Sequence, residues 1–589
     1  MIQIDTLSET DTLAQGSTQH KQKSWVRWTS DSILVDSLSD DVVFSQDSMI
    51  LYCDSAIIVN EIDILAWGNV ALVQHDTIEA FSDTLTYNAL TKKSKLTGNV
   101  VLQNQDERLV TETLHYDLNT KIAEYFHGAE MTQNDISLRS DKGKYFVGRQ
   151  EAIFKTNVHV VDSSFMLWTD SMLYDLKTDR ANFFGPTRIN QKDAKLYCEK
   201  GHYDIADRSA QLEVNAQYES DSLVASADQL FYDGLREEIV LQGNAKFKNP
   251  TSYGESIQIV YNEVTKASVL TGDAIFISEE RTVRADVIEH DGTDDSFSTR
   301  GQMRLVQDES ILVADKFFSK PTTTIKVASG DVVWRDTTEN IELVSDSLFL
   351  DEEINSVKAK NKKFKPLLRK VSSSDTIWMS AVEVDAEEKK VDSIGVQKIF
   401  KATKDVRVLS NSFQAKSEFL SYNTTDSLLR LTGNPIMWVD STQFKADSIE
   451  IQLVNDEPSM LLLKENAIIV IESFPTVFDQ IQGKEITVWL TDSKIDSMFV
   501  KGNAESVYFM KDEDDAYIGA DKTACSSIMF FFEEEELSRI EHITKPTSVF
   551  VPMQGINLQE LELSGFGWFI TQRPVVLTDL DIGITDALD

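Results

Sequence analysis

Gly98-Asn99-Val100-Val101-Leu102-Gln103-Asn104-Gln105-Asp106, followed shortly by Thr111-Glu112-Thr113-Leu114-His115-Tyr116-Asp117, holds both halves of the unit from which this chain is built. Val100 and Leu102 lie two apart, as do Leu114 and Tyr116, which puts each pair on one face of a strand. Gly tolerates positive φ, and Asn tolerates it better than most residues. The Gly-Asn pair therefore suits a tight turn or bulge that launches a strand. The closing Asp117 supplies a turn.

Both halves recur in phase. Gly68-Asn69-Val70 precedes this block, and related triplets begin at Gly128, Thr156, Gly185, Val214, Gly243, Gly272, Gly301 and Gly330, at steps of 28 to 30 residues, most of them 29. The second half accompanies them, as in Asp83, Leu85, Tyr87 and Asn88, or Asp170, Met172, Tyr174 and Asp175. Self-similarity at a fixed period of this size marks an elongated repeat architecture, in which each unit buries its apolar face against its neighbours. No segment of comparable length shows 3.6-residue periodicity, so the chain reads as all-β, with short strands joined by short turns. Function is then expected along a surface or groove.

Composition limits the rest. With 589 residues, 41% of them hydrophobic and ten prolines, the chain can bury a large core as one continuous body. A net charge of -39 excludes nucleic acid, because phosphate backbones need clustered Lys and Arg. No run of about 18 apolar residues exists to span a bilayer as a helix. Met1 to Lys23 is polar, with neither a basic n-region nor an apolar h-region, so no signal peptide is read in this chain. Cys53 and Cys198 stand 145 residues apart, five periods, which is roughly 50 Å if each period adds two strand layers. They and Cys525 read as free, buried side chains.

The frame breaks once. After Asp351 comes the densest basic run of the chain, and repeats resume at Asp405-Val406, Gly433-Asn434, Glu465-Asn466 and Gly502-Asn503. The expected organisation is a polar, disordered N-terminus over 1–27, a first array over 28–352, a basic hinge loop over 353–372, a second and less regular array over 373–563, and a tail over 564–589. That tail, dense in Gly and aromatics, is open to two readings, a cap or a docking segment.

The combined pattern of Gly-Asn-Val, a short hairpin, and an acidic residue followed by an apolar one and Tyr resembles the OstA-like family. That family includes the periplasmic lipopolysaccharide-transport bridge protein and the N-terminal domain of the outer-membrane lipopolysaccharide assembly protein. The segments Lys365-Pro366-Leu367-Leu368-Arg369-Lys370 and Asp375-Thr376-Ile377-Trp378-Met379-Ser380-Ala381 look like the junction of a double-array envelope member of the same family. The resemblance implies an elongated open β-jellyroll, or β-taco, whose two sheets fold like a V around a greasy interior that holds lipid acyl chains. It implies a protein of the periplasm or cell envelope that binds lipopolysaccharide or a related amphiphile during outer-membrane assembly. Other OstA-like transport proteins would be its partners, joined by end-to-end strand addition. This chain departs from familiar members in being several times longer than the bridge protein and in lacking a barrel-forming half.

The apolar positions give candidate lining residues. These are Val70, Leu72, Leu85, Val100, Leu102 and Leu114, then Val158, Val160, Met172 and Leu230, then Phe247, Phe276 and Trp334. Each methylene buried there is worth about 0.8 kcal/mol. In the basic run, Lys362, Lys363, Lys365, Arg369 and Lys370 could meet a lipid phosphate or an acidic partner; the competing reading is a solvated hinge. The acidic ladder Asp54, Asp83, Glu112, Asp141, Asp170, Glu199, Asp228, Asp286 and Asp315 reads as turn caps at strand starts, without calcium-loop spacing behind a cation role. Tyr87, Tyr116, Tyr145, Tyr174, Tyr203 and Tyr232 read as stacked core rungs, with ligand contact at a groove mouth as the other option. Eight scattered histidines, and no HExxH, GxSxG or GxxxxGK(S/T), point away from an enzyme, and no metal or cofactor site is read. The alternative function is an envelope or extracellular β-solenoid scaffold binding protein or polysaccharide on its exterior.

Overall fold

Each period folds as two antiparallel strands, and the Gly-Asn pair lies in the middle of one of them. In the strand Lys93–Asn104, residues Lys93 to Thr97 pair with Asp117 to Thr113, and Val100 to Asn104 pair with Thr111 to Glu107. Gly98 and Asn99 together face Glu112, a β-bulge in which two residues oppose one. Both adopt left-handed φ, +82° and +45°. The pair therefore does not launch a strand, as expected from sequence, but bends one: the ladder continues on both sides. Because the bulge restores the phase, Ser94 and Leu96 before it and Val100 and Leu102 after it are all buried on the same concave side. The result is strands of 11 or 12 residues, such as Ile78–Asn88 and Lys93–Asn104, instead of shorter pieces.

The computed structural model describes residues 25–582, apart from 31, 32, 280, 321, 352, 373, 374, 392–394, 492, 493, 513, 515, 534 and 535. Residues 1–24 of the expected disordered N-terminus and residues 583–589 of the tail lie outside the described residues, whereas Trp25 opens a strand, Trp25–Ser30. The fold is an antiparallel β-jellyroll; its helical turns, Leu558–Leu561, Ile570–Gln572 and Leu577–Leu580, all fall after the last strand. Among the described residues no helix is long and apolar enough to cross a membrane.

Two compact units divide the chain, one up to Ala274 and one from Ile275. In the first, the bulges line up along a fold line that separates two arms. Segments before the bulge form the first arm and segments after it the second. The arms close on each other: the Tyr116 hydroxyl, on the first arm, donates to Gln74 Oε1 on the second at 2.6 Å. At the first-arm tips the closing Asn or Asp makes the expected turn, Asn88 Oδ1 accepting from the N–H groups of Leu90 and Thr91 and Asp117 Oδ1 from those of Asn119 and Thr120.

The second unit contains the basic segment, and most of it is strand where a hinge loop was expected. Ser356–Lys360 and Leu367–Val371 both pair with the same strand, Ile341–Asp351, one on each arm. Residues 361–366 thus replace a two-residue bulge with a longer loop on the fold line. Asp346, opposite this loop, holds it: its Oδ2 accepts from Lys362 N at 3.0 Å.

A second difference from the first unit is a third layer. Residues 561–582 lie across the outer face of the second arm, where Leu561 and Leu563 pack on Ile468, Val470, Val507 and Phe509, and Leu580 on Val344 and Leu367. Outward glutamines tie the segment down: Gln443 accepts from Phe569 N and donates to Gly567 O, both at 2.7 Å, and Gln480 accepts from Leu563 N at 2.8 Å. Burial on both faces explains why alternation gives way to continuous buried runs such as Ile436–Val439.

Candidate functional site

The proposed lining residues of the first unit, Val70 to Phe247, all point between the arms and are at most 2% exposed. In the second unit Phe276 is equally buried and Trp334 is 9% exposed. Along most rungs the interior is filled by these side chains, packed arm against arm.

A polar seam closes the arm tips. At the end of the second arm, Gln46 donates to Ala89 O at 3.1 Å, Gln74 to Leu118 O at 3.0 Å and Gln133 to Leu176 O at 2.9 Å. Each acceptor is the carbonyl two residues beyond a rung tyrosine or its equivalent. The intervening rung uses Asn104 and Glu107 with the Tyr145 hydroxyl, at 3.1 and 2.7 Å. The tyrosine rings are buried in the core, and the hydroxyls of Tyr87, Tyr116 and Tyr145 reach the seam. Burial pushes the Tyr87 hydroxyl up to about 12, with Asp47 adding to the shift.

The seam residue recurs at steps of 28 to 30: Gln46, Gln74, Asn104, Gln133, then Asp162. A carboxylate cannot donate to a carbonyl. Asp162 turns instead to its own hairpin, accepting from the Ser163 and Ser164 hydroxyls at 3.0 and 2.9 Å. In the next rung Gln191 meets the hydroxyls of Tyr203 and Tyr232, at 3.2 and 3.1 Å. Here the seam opens into a cavity of about 770 Å³, with Phe165, Tyr203, Tyr218 and Tyr232 around it and Lys192, Arg208, Glu237 and Glu263 at its rim.

The second unit repeats the arrangement. Asp336 stands at the same position of the period, six steps of 29 beyond Asp162, and borders a cavity of about 690 Å³ lined by Leu305, Leu312, Phe317, Trp334 and Phe400. Asp336 is ion-paired with Lys398 at 2.5 Å. Burial works to raise its carboxyl, but Lys398, Thr338 and the Glu339 N–H together hold it below the ordinary value. Of the sequence-proposed lining residues, Trp334 is the one at a mouth; the others sit deeper or on closed rungs. The seam itself was missed by sequence reasoning, although its polar residue keeps the 29-residue step.

Of the acidic ladder, Asp141 and Glu199 directly precede strands, at one-residue breaks between them, and the other members lie within strands and do not stand at strand starts. All lie opposite the bulges, where Asp54, Asp83, Asp141, Glu199 and Asp228 accept from the amides of Asn69, Asn99, Asn157, Asn215 and Asn244 at 2.6 to 2.9 Å.

Three of the basic candidates are committed within the chain. Lys365 pairs with Asp405 at 2.5 Å and Asp581 at 3.5 Å, Arg369 lies 3.8 Å from Glu342 and over the Trp378 ring, and Lys370 pairs with Asp456. Lys363 stacks on Phe364, 5.0 Å from the ring centre, and Lys362 contributes its backbone N–H to Asp346. The cysteines are free; Cys53 and Cys198 are buried, which pushes both thiols up to about 12, whereas Cys525 is only half-buried.

Residues 29–170 match the profile of the family described as OstA-like protein. No curated protein matches the chain. Seventeen solved chains do. One is LptH from Pseudomonas aeruginosa, described as the LptA homologous periplasmic component of the conserved lipopolysaccharide transport device; it is 16% identical, the match covers 18% of this chain and 80% of that one, and the TM-score is 0.17.

Proposed function

We propose that this chain, OstA-like over residues 29–170, is a non-enzymatic envelope protein that holds the acyl chains of lipopolysaccharide or a related amphiphile between its two arms and passes them on during outer-membrane assembly. The observation that carries this reading is the seam opening at Asp162, which leads from a polar rim into an apolar interior, with a second cavity behind the Asp336–Lys398 ion pair. At a mouth, methylene groups gain about 0.8 kcal/mol each on burial without the arms first having to part. Elsewhere entry requires breaking seam hydrogen bonds worth about 0.5–1.5 kcal/mol apiece. The ligand class rests on the repeat's resemblance to OstA-like proteins.

The strand Trp25–Ser30 pairs with Ile33–Gln46 on one side, and Thr547–Pro552 pairs with Tyr517–Glu533, exposing Val549 and Phe550. Such edges suit strand addition by a partner of the same fold. Proline placed within Thr547–Pro552 should weaken that partnership; unchanged binding would count against it.

Photo-crosslinking tests the interior directly. A photoreactive residue at Phe165 or Trp334 should label lipopolysaccharide, while one at the outward Trp67 should not. Lipid-free protein by native mass spectrometry, with equal labelling from Trp67, would sink the proposal.

A further inference from the structure

One stretch of the first unit's outer surface differs from every regular rung around it. Where the period should read Gly-Asn, it reads Gly185-Pro186, and the strand is interrupted between Phe183 and Thr187. Proline offers no side-chain amide to the ladder acid. Asp170, which holds the place of Asp83 and Asp228, is therefore left exposed and without a hydrogen-bond partner among the described residues. Arg188, two residues past the proline, is likewise exposed and has no ion pair among them. Asn190 has its Oδ1 buried with no partner, an arrangement that ordinarily costs free energy unless something supplies one.

Aromatic rings flank these groups. Trp168 pairs directly with Arg188 in register, and Arg188 with Tyr197; on the other side Trp168 pairs with His159, their rings edge to face at 5.9 Å. All four side chains point outward, on four adjacent strands. At a strand spacing of ~4.8 Å, Trp168 and Tyr197 stand roughly 10 Å apart, about the length of a disaccharide. Together with Asp170 and Asn190 they line an exterior depression of about 690 Å³. In the second unit the outer face of this same arm is apolar and covered by residues 561–582; here it is aromatic and polar, and not covered by any of the described residues.

We infer that this depression is a glycan-binding platform, taking an oligosaccharide whose sugar faces lie on Trp168 and Tyr197 while Arg188, Asp170 and the Asn190 Nδ2 hydrogen-bond the ring hydroxyls. A sugar hydroxyl both donates and accepts, and the site offers a pure donor in Arg188 beside a pure acceptor in Asp170. Indole and phenol rings present flat apolar faces to the C–H faces of a pyranose. An acyl chain would leave all three polar groups unpartnered. A peptide strand would find the backbones of Trp168 and Arg188 already paired on both sides in the sheet ladder. This site lies outside the interior and does not depend on the lipid reading.

Isothermal titration of the full chain with cellohexaose, maltohexaose and the hexamer of N-acetylglucosamine tests it. At least one should bind, with affinity reduced about ten-fold or more by Trp168→Ala, Tyr197→Ala and Arg188→Lys and unchanged by Trp67→Ala. The sugars carry no acyl chain, so a result here is independent of lipid binding. Circular dichroism melts equal to the parent's would show that these surface changes leave the fold intact. Absence of binding by all three sugars at saturating concentration, or binding that survives the Trp168→Ala and Tyr197→Ala changes, would overturn the inference.

Discussion

Asn99 Nδ2 donates to Asp83 Oδ2 at 2.9 Å, tying the bulge of one strand to the middle of its neighbour. The same contact recurs along the fold line, so the period is written twice, once as a backbone requirement and once as a side-chain partner. A Cβ on Gly98 would fall 2.4 Å from that carboxylate oxygen, at a φ of +82°. Gly98→Ala should cost about 1–2 kcal/mol from left-handed strain, plus the displacement of Asp83. Adding Asp83→Ala should recover only some of the second part, because the Asp83 Cβ itself would lie 2.9 Å away; a double-mutant cycle by urea unfolding would read this, and full recovery would contradict the strain.

Val214 shows the converse. It occupies the Gly position of its bulge at φ +61°, a conformation costly for a β-branched residue. Val214→Gly should stabilise the protein by roughly 0.5–1 kcal/mol, the left-handed penalty less the extra freedom of Gly when unfolded. A lower melting temperature would be the wrong sign.

Replacing Asp162 with Gln should restore the missing donor, aimed at the carbonyl of Ile205, and close the first mouth. The expected outcome is a gain of about 1 kcal/mol in stability with reduced crosslinking from Phe165. Unaltered labelling would show that the gap at Asp162 is not the entrance.

Asp479 is almost fully buried, and burial raises its carboxyl to about 6 from an ordinary 3.8, against hydrogen bonds from Ser473 and the Phe509 N–H. A folded value above the unfolded one means the folded state prefers the proton. The contribution of Asp479 to stability is therefore fully present below about pH 4, falls as pH rises towards 6, and levels off above, with a total loss of about 2–3 kcal/mol at 1.36 kcal/mol per unit. Asp479→Asn should abolish that part of the pH dependence. Comparing parent and variant by urea unfolding at pH 4 and pH 7 isolates it from the other carboxylates.

Leu580 is fully buried against Val344 and Leu367 although it lies beyond every strand. Leu580→Ala should cost about 2–5 kcal/mol, and the outer face it covers should then bind an apolar dye.

The alternation of the strands and their period were legible in sequence, because Val100, Leu102, Leu114 and Tyr116 carry the pattern locally. The place of the Gly-Asn pair within a strand was not, since turns and bulges demand the same left-handed residues. The acids could be placed on the ladder but not paired, because Asp83 and Asn99 meet only once the register is known. The fate of the basic run was hidden for a stronger reason: Lys365 and Lys370 are answered by Asp581 and Asp456, far along the chain. The seam was readable, as Gln46, Gln74, Asn104 and Gln133 keep the period, but a glutamine ending a strand carries no apolar signal to draw attention to it.

The outer layer of the second unit has a consequence for how the protein is made. Residues 561–582 are translated after all the strands they cover, so Ile468, Val470 and Val344 must wait on the ribosome with their outward faces bare. Among the described residues no such layer covers the first unit, so its strands can pair as they emerge. Synthesis thus passes through a stage in which half the molecule is paired and the other half still presents a sticky flank, and a holding chaperone would find its substrate there.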